Sequence, residues 1–338
     1  CRIAIYFIDQ HYWCACFKIQ GFTMSHLHLK SLELELVIDA NYGADILSIK
    51  TADKHQEVLL QTPWADRAEA VIRQEQRSIY LEPQAHWMER YRGGWQMICP
   101  VAGPPRVIHG APVGFHGEAA ISTWKVNNLE NSSARMQLDL FSLPIRIERE
   151  VSVDGNVIEI TDVITNLSNL ELEFDYSSHP AFGGALLEGE VTIETSAQKF
   201  HLDEESISPH GISGSTHDWP LVKGENGRVL NLSRLPSPPT RLGVFGWLSD
   251  FGSKKWYRIK NIDTNITFEM EWESEFLDFA WFWLEFNDNE GSPWFRNVRT
   301  FAIEPSSTQT SGKNRKSILQ LKGNQATTIK QIVRITSS

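Results

Sequence analysis

Val151-Ser152-Val153-Asp154-Gly155-Asn156-Val157-Ile158-Glu159-Ile160 decides the fold class. β-Branched residues recur on both sides of Asp154-Gly155, a dipeptide that tolerates positive φ and suits a tight turn between antiparallel strands. The same pattern extends outward. From Leu27 the chain alternates, with Leu32, Leu34, Leu36 and Ile38 expected on one side of a pleat and Glu33, Glu35 and Asp39 on the other or at its end. Asn41-Tyr42-Gly43 breaks this run and Ile46 to Ile49 resumes it, which reads as a first hairpin. Further strands are expected over 170–176, 191–195, 256–259, 266–272, 279–286, 298–303 and 327–335. Helical composition is confined to 65–77 and 84–91, where Ala, Glu, Gln and Arg are dense. Short strands, turn residues and no alternating strand–helix units predict an all-β protein: a large antiparallel β-sandwich with one or two short helices.

Composition supports a folded core. Apolar residues are 41% of the 338-residue chain and charged residues 22%, too apolar for a disordered protein. Residues 24–338 are read as a single domain, because strands of similar character lie on both sides of the loop at 236–239. Residues 1–23, broken by Asp9, Gln10, His11 and Lys18, are read as an N-terminal extension outside the fold, with no apolar stretch long enough to span a bilayer. The net charge of -10 opposes a nucleic-acid partner, which requires a basic surface. Cys1, Cys14 and Cys16 crowd the N-terminus and Cys99 stands alone, so the body of the chain holds no pair to oxidise and a reducing, cytoplasmic compartment is expected.

Four segments pair a turn-forming Gly or Pro with a reactive or aromatic side chain: Arg92-Gly93-Gly94-Trp95-Gln96, Gly114-Phe115-His116-Gly117-Glu118 with Trp124 downstream, Ser178-His179-Pro180-Ala181-Phe182-Gly183-Gly184, and Phe301-Ala302-Ile303-Glu304-Pro305. His179 precedes a proline, which pushes its backbone to an extended conformation at a strand end. It serves there either as a hydrogen-bonding turn residue or as a proton carrier near neutral pH. Glu304 places a carboxylate at the end of an apolar strand, where it is either ion-paired with Arg296 or Arg299 or poised as a general base. His116 is expected to lie between the aromatic faces of Phe115 and Trp124, and His109 to be a loop residue. Trp281, Trp283 and Glu285 share one face of a strand, which is either core or a sugar-stacking platform with a carboxylate at its rim. His26 and His28 have same-face spacing without a Cys or carboxylate cluster beside them, so no metal site is expected. The Gly-x-Ser-x-Gly elbow, the phosphate loop and the dinucleotide fingerprint are all absent from the sequence.

Taken in this order, the four segments resemble the aldose 1-epimerase (galactose mutarotase) superfamily, from about Leu27 to the C-terminus. The resemblance implies that Glu304 is the general base on the anomeric hydroxyl, that His179 is the general acid on the ring oxygen, and that His116 stabilises charge near the reacting centre. It implies substrate contacts from Arg92, Trp95, Gln96, Trp283 and Glu285, a small-molecule carbohydrate as ligand, a monomer or homodimer, and no cofactor or metal. Two departures stand out. Glu118-Ala119-Ala120 follows His116-Gly117 where the family often carries an arginine, which argues against phosphorylated sugars, and 63–91 reads as an insertion that would form a lid or wall. A non-catalytic sugar-binding protein on the same fold is the competing function. A lyase or hydrolase on this sandwich would bring a second catalytic domain and a longer chain.

Overall fold

A computed structural model describes residues 26–204, 211–224, 227–312 and 315–337, so the expected extension 1–23 and its three cysteines lie outside the described residues. The deciding hairpin forms with Ile145–Asp154 against Val157–Asn166. Asp154 pairs with Val157, so the two loop residues are Gly155 and Asn156, one position later than expected. Gly155 has φ 52, the positive value a tight hairpin turn needs at its first central position.

Two antiparallel sheets carry the architecture. In the nine-stranded sheet the spatial order is Arg234–Leu235, Val191–Thr195, Lys255–Asn261, Thr267–Glu273, Ala326–Thr336, Val157–Asn166, Ile145–Asp154, Ser133–Asp139 and Lys125–Leu129. In the ten-stranded sheet it is Leu27–Lys30, Leu34–Asp39, Asp45–Thr51, Trp95–Ile98, Ser177–Pro180, Arg299–Ser306, Phe279–Phe286, Leu242–Ser249, Lys199–Leu202 and Thr216–Asp218. One hydrophobic cluster reaches from Leu27 to Ile335, fed by alternate residues of both sheets such as Ile158, Ile160, Val151, Phe282, Phe301 and Ile303. The expected antiparallel sandwich is therefore the observed one. Its α-helices among the described residues are α1 (Ala65–Ile72) and α2 (Pro83–Met88), both shorter than expected. Neither is long and apolar enough to cross a membrane.

Local readings shift where a turn interrupts the alternation. Leu32 is 95% exposed, because Ser31 begins a turn and the run from Leu27 is two strands rather than one. Ser31 Oγ accepts from the amide of Leu34 and donates to the carbonyl of Gly155, fixing that turn against the deciding hairpin. In the expected strand 170–176 only Leu172–Glu173 pairs, with Gln320–Leu321. The next strand, Ser177–Pro180, belongs to the ten-stranded sheet.

The interior also holds a polar chain. Arg149 makes a bidentate pair with Asp162 at 2.7 and 2.9 Å, and the Tyr176 hydroxyl donates to Asp162 at 2.7 Å. Gln331 donates to the Tyr176 oxygen and accepts from Ser178, whose own oxygen accepts the Trp95 indole N–H at 2.8 Å. The chain crosses the sandwich and ends on the residue before His179. Arg149→Met should destabilise the protein by ~3–5 kcal/mol, since it strands the Asp162 charge, whereas Arg149→Met with Asp162→Leu should cost less. Urea denaturation of the two variants measures the difference.

Candidate active site

Strand register builds the site. Ser177 lies opposite Ser306, so His179, two residues on, and Glu304, two residues back, meet on neighbouring strands. His179 also faces Gln96, Glu304 faces Trp281, and Trp281 faces Trp247. These side chains form one rung across the face of the ten-stranded sheet that points away from the nine-stranded sheet, because Ser178 and Ile303, one residue along, point into the core. Both candidate groups thus sit inside the sheet. The strand with Ser177–Pro180 is flanked on both sides, and the strand with Glu304 continues past Pro305 to Ser306, so neither residue ends at an edge.

His179 Nε2 lies 3.6 Å from Glu304 Oε1, and the two residues are 5% and 3% exposed. Neither His179 ring nitrogen has a hydrogen-bond partner, nor has Glu304 Oε2. The arginines that could have neutralised Glu304 turn elsewhere. Arg296 pairs with Glu290, and Arg299 donates to the carbonyls of Leu187 and Pro236 while lying over the Phe286 ring. Burial therefore pushes the Glu304 carboxyl up to about 8 and the His179 imidazole down to about 3. Between those values the pair carries a single titrating proton.

His116 faces the same space. Its Nδ1 accepts the Gly103 amide at 3.2 Å, which leaves Nε2 to carry the ring proton as a donor. Burial and the neighbouring His179 hold its pKa well below the usual histidine range, so it stays neutral. His116 itself has φ 61, a strained value for a non-glycine residue. At Gly117, φ 80 and a Cβ that would stand 2.4 Å from the Cys99 carbonyl oxygen leave only glycine acceptable. The aromatic bracket differs from expectation. Phe115 contacts His116 as predicted, but Trp124 is buried in the core with its indole N–H on the Ala119 carbonyl, and Trp87 from α2 takes its place, 4.6 Å from the imidazole.

A cavity of about 410 Å³ opens over this rung. Glu304, His179, His116, Trp283 and Glu285 all line it, together with Trp281. The other expected contacts do not. Trp95 points into the core against Phe268. Arg92 is held by Asp39 at 2.7 Å and Glu69 at 2.6 Å, and so ties α1 to the strand Leu34–Asp39. Gln96 stands on the same rung as His179 but donates to Asp45 beneath the cavity rather than lining it. Glu118 is also turned away, accepting from the amides of Phe141 and Ser142, so its charge does not bear on the ligand. His109, as expected, is a loop residue, engaged with the Glu173 backbone. His26, Asp39 and Glu69 each bring a ligand atom within 4.8 Å of one another, but the Arg92 guanidinium already supplies the cation there.

Sequence reasoning missed Trp87, Met88 and Tyr91, Trp294, Asn289 and Phe245, all of which line the cavity. The first three come from the expected insertion, which forms a wall. Glu82 caps α2 by accepting from the amides of Gln84 and Ala85, with Pro83 at the first helical position. Tyr91 then stacks parallel to His179, with ring centroids 6.3 Å apart. Among the described residues no lysine or arginine lines the cavity.

No protein-family model matches the sequence, and no curated protein does. Solved structures do resemble it. A candidate aldose 1-epimerase from Escherichia coli K12 is 14% identical with a TM-score of 0.66, covering 93% of this chain and 99% of that one. A galactose mutarotase related enzyme from Lactobacillus acidophilus is 14% identical at TM-score 0.62, covering 92% and 97%. An aldose epimerase homologue from C. elegans is 13% identical at TM-score 0.60, covering 92% and 98%. The likeness establishes the fold as a galactose mutarotase-like β-sandwich.

The raised Glu304 pKa has a stability consequence. The native protein holds this proton more tightly than the unfolded chain, so the contribution is present below pH 4.5 and lost as pH rises towards 8. His179, depressed from 6.5, loses its contribution as pH falls towards 3, and this effect is common to wild type and a Glu304 variant. Glu304→Gln should therefore be more stable than wild type by on the order of 3 kcal/mol at pH 8, with the gap shrinking towards pH 5. Thermal melts across that range measure it.

Proposed function

We propose that this protein is an aldose 1-epimerase-type isomerase that interconverts the α and β anomers of a free, uncharged sugar. The observation that carries the reading is the pairing of His179 and Glu304 at 3.6 Å, buried, without a cation, on the floor of one cavity. A structural ion pair would be expected to satisfy its polar atoms, and here three of the pair's nitrogens and oxygens remain unpaired.

In this mechanism the pair's one proton passes from Glu304 to His179 in the sugar complex, and the resulting Glu304 carboxylate takes the proton of the anomeric hydroxyl. The C1–O1 bond becomes a carbonyl, the C1–O5 bond breaks with its electrons on O5, and O5 takes a proton from the His179 imidazolium. The open-chain aldehyde rotates about C1–C2, and reclosure returns each proton, so the products are the other anomer and the unchanged pair. Ring opening moves the pair from carboxylate and imidazolium to carboxylic acid and neutral imidazole. Both forms hold the same single proton, so a pair that carries one proton across neutral pH serves both halves of the cycle. His116 Nε2–H donates to the developing charge on oxygen. The indoles of Trp281 and Trp283 offer flat faces to the apolar side of a sugar ring. Among the described residues the cavity lining holds Glu285 and Glu304 and no lysine or arginine, which favours a neutral sugar over a phosphorylated or acidic one.

Glu304→Gln and His179→Asn should each abolish catalysed mutarotation, read by polarimetry across a panel of free aldoses, with near-ultraviolet circular dichroism unchanged. Wild-type rates in both variants would remove the assignment. The pH dependence follows from the pair's proton count. kcat/KM should be flat across neutral pH and fall above about 8, where Glu304 loses the only titrating proton, and again towards about 3, where both groups are protonated and no base remains. A profile with a limb near pH 6.5 would point to a solvated histidine instead.

A further inference from the structure

We propose that the cavity contains a second sugar subsite, formed by Trp294, Glu285 and Asn289, and that the substrate is a reducing disaccharide whose reducing ring meets Glu304 and His179. The inference rests on the mutarotase reading for the chemistry at the first ring and adds the identity of what lies beyond it.

Distance along the strand is the first observation. Glu304 pairs with Trp281, and Glu285 follows four residues later on the same strand and the same face, about 13 Å further along at ~3.3 Å per residue. Both carboxylates line one continuous cavity. Two linked rings laid along the strand match that backbone spacing. The cavity volume of about 410 Å³ lies within the range that encloses drug-sized ligands.

The chemistry at the far end is the second observation. Glu285 Oε1 accepts from the amides of Asp288 at 2.7 Å and Asn289 at 3.0 Å, which fixes the carboxylate and leaves Oε2 as an acceptor. Asn289 Oδ1 accepts from the Gly291 amide, which leaves its Nδ2 as a donor. A fixed acceptor and a fixed donor on adjacent side chains match neighbouring hydroxyls of a sugar. Trp294 stands beside them, edge-on to Trp283 at 5.6 Å and to Trp64 at 5.3 Å, so its ring is held in place as a wall. Trp283 is also 5.6 Å from His179, and it divides the two ring positions.

The test compares maltose, cellobiose, lactose and melibiose with glucose and galactose, using polarimetry for turnover and tryptophan fluorescence for binding. At least one disaccharide should show a kcat/KM about tenfold or more above that of its reducing-end monosaccharide. Asn289→Ala should lower the disaccharide value about tenfold more than the monosaccharide value, in keeping with loss of hydrogen bonds to one ring. Glu285→Gln, which keeps the backbone caps, should reduce the same preference. Equal effects on both sugar sizes, or no preference for any disaccharide, overturn the subsite. If no sugar of either size is epimerised, the reaction fails and binding decides the subsite separately. Tighter disaccharide binding that Asn289→Ala removes sustains it, and equal or absent binding overturns it.

Discussion

Glu304 is a carboxylate built into the interior of a β-sheet with no cation to neutralise it among the described residues, and the arrangement around it follows from that constraint. An isolated buried charge costs several kcal/mol, so the group either finds a partner or takes up a proton. The nearest titratable group is His179 at 3.6 Å, itself buried and without hydrogen bonds to its ring nitrogens. Each residue opposes ionisation of its own side chain, and together they retain one mobile proton across neutral pH. The register that sets Ser177 opposite Ser306 brings them together, so the precision of the pair comes from backbone pairing rather than from loops.

That placement explains why the surroundings are aromatic. Trp281, Trp283, Trp87, Tyr91 and Phe115 shield the pair from bulk water, which keeps the local dielectric low and the proton shared. Trp87 and Tyr91 come from the segment 63–91, which contributes no strand to either sheet. Arg92 anchors α1 through Glu69, and Glu89 gathers Arg67 and Ser78, so the segment is fastened by its own polar contacts while its aromatic residues turn to the cavity. A wall held in this way can vary while the rung beneath it stays fixed, and it is the natural place for substrate choice to be set.

Much of the fold was legible because strand alternation survives in one dimension. The hairpin at Asp154-Gly155, the strand Phe279–Phe286 and the shared face of Trp281, Trp283 and Glu285 all follow from a period of two. Leu32 was misplaced because a turn two residues long leaves the apolar spacing intact while reversing the chain. Glu304, His179 and His116 were legible through the turn-formers beside them. Trp95 and Gln96 were not, because consecutive strand residues point to opposite faces and only the sheet order decides which face is the cavity, and Arg92 was not, because its carboxylate partners Asp39 and Glu69 are distant in sequence. Trp95 points into the core and Gln96 to the rung, and both look alike in the sequence. Trp87, Tyr91 and Trp294 were invisible for a different reason: α2, the turn after it and the loop that carries Trp294 reach the site by tertiary packing alone.

Whether Glu304 and His179 hold one proton between them at neutral pH is read by infrared difference spectroscopy between wild type and Glu304→Gln. The sugar-free wild type should show a protonated carboxylic acid band at pH 6 that converts to carboxylate near pH 8, with the His179 imidazole neutral throughout. A carboxylate band already present at pH 6 beside a neutral His179 would contradict it.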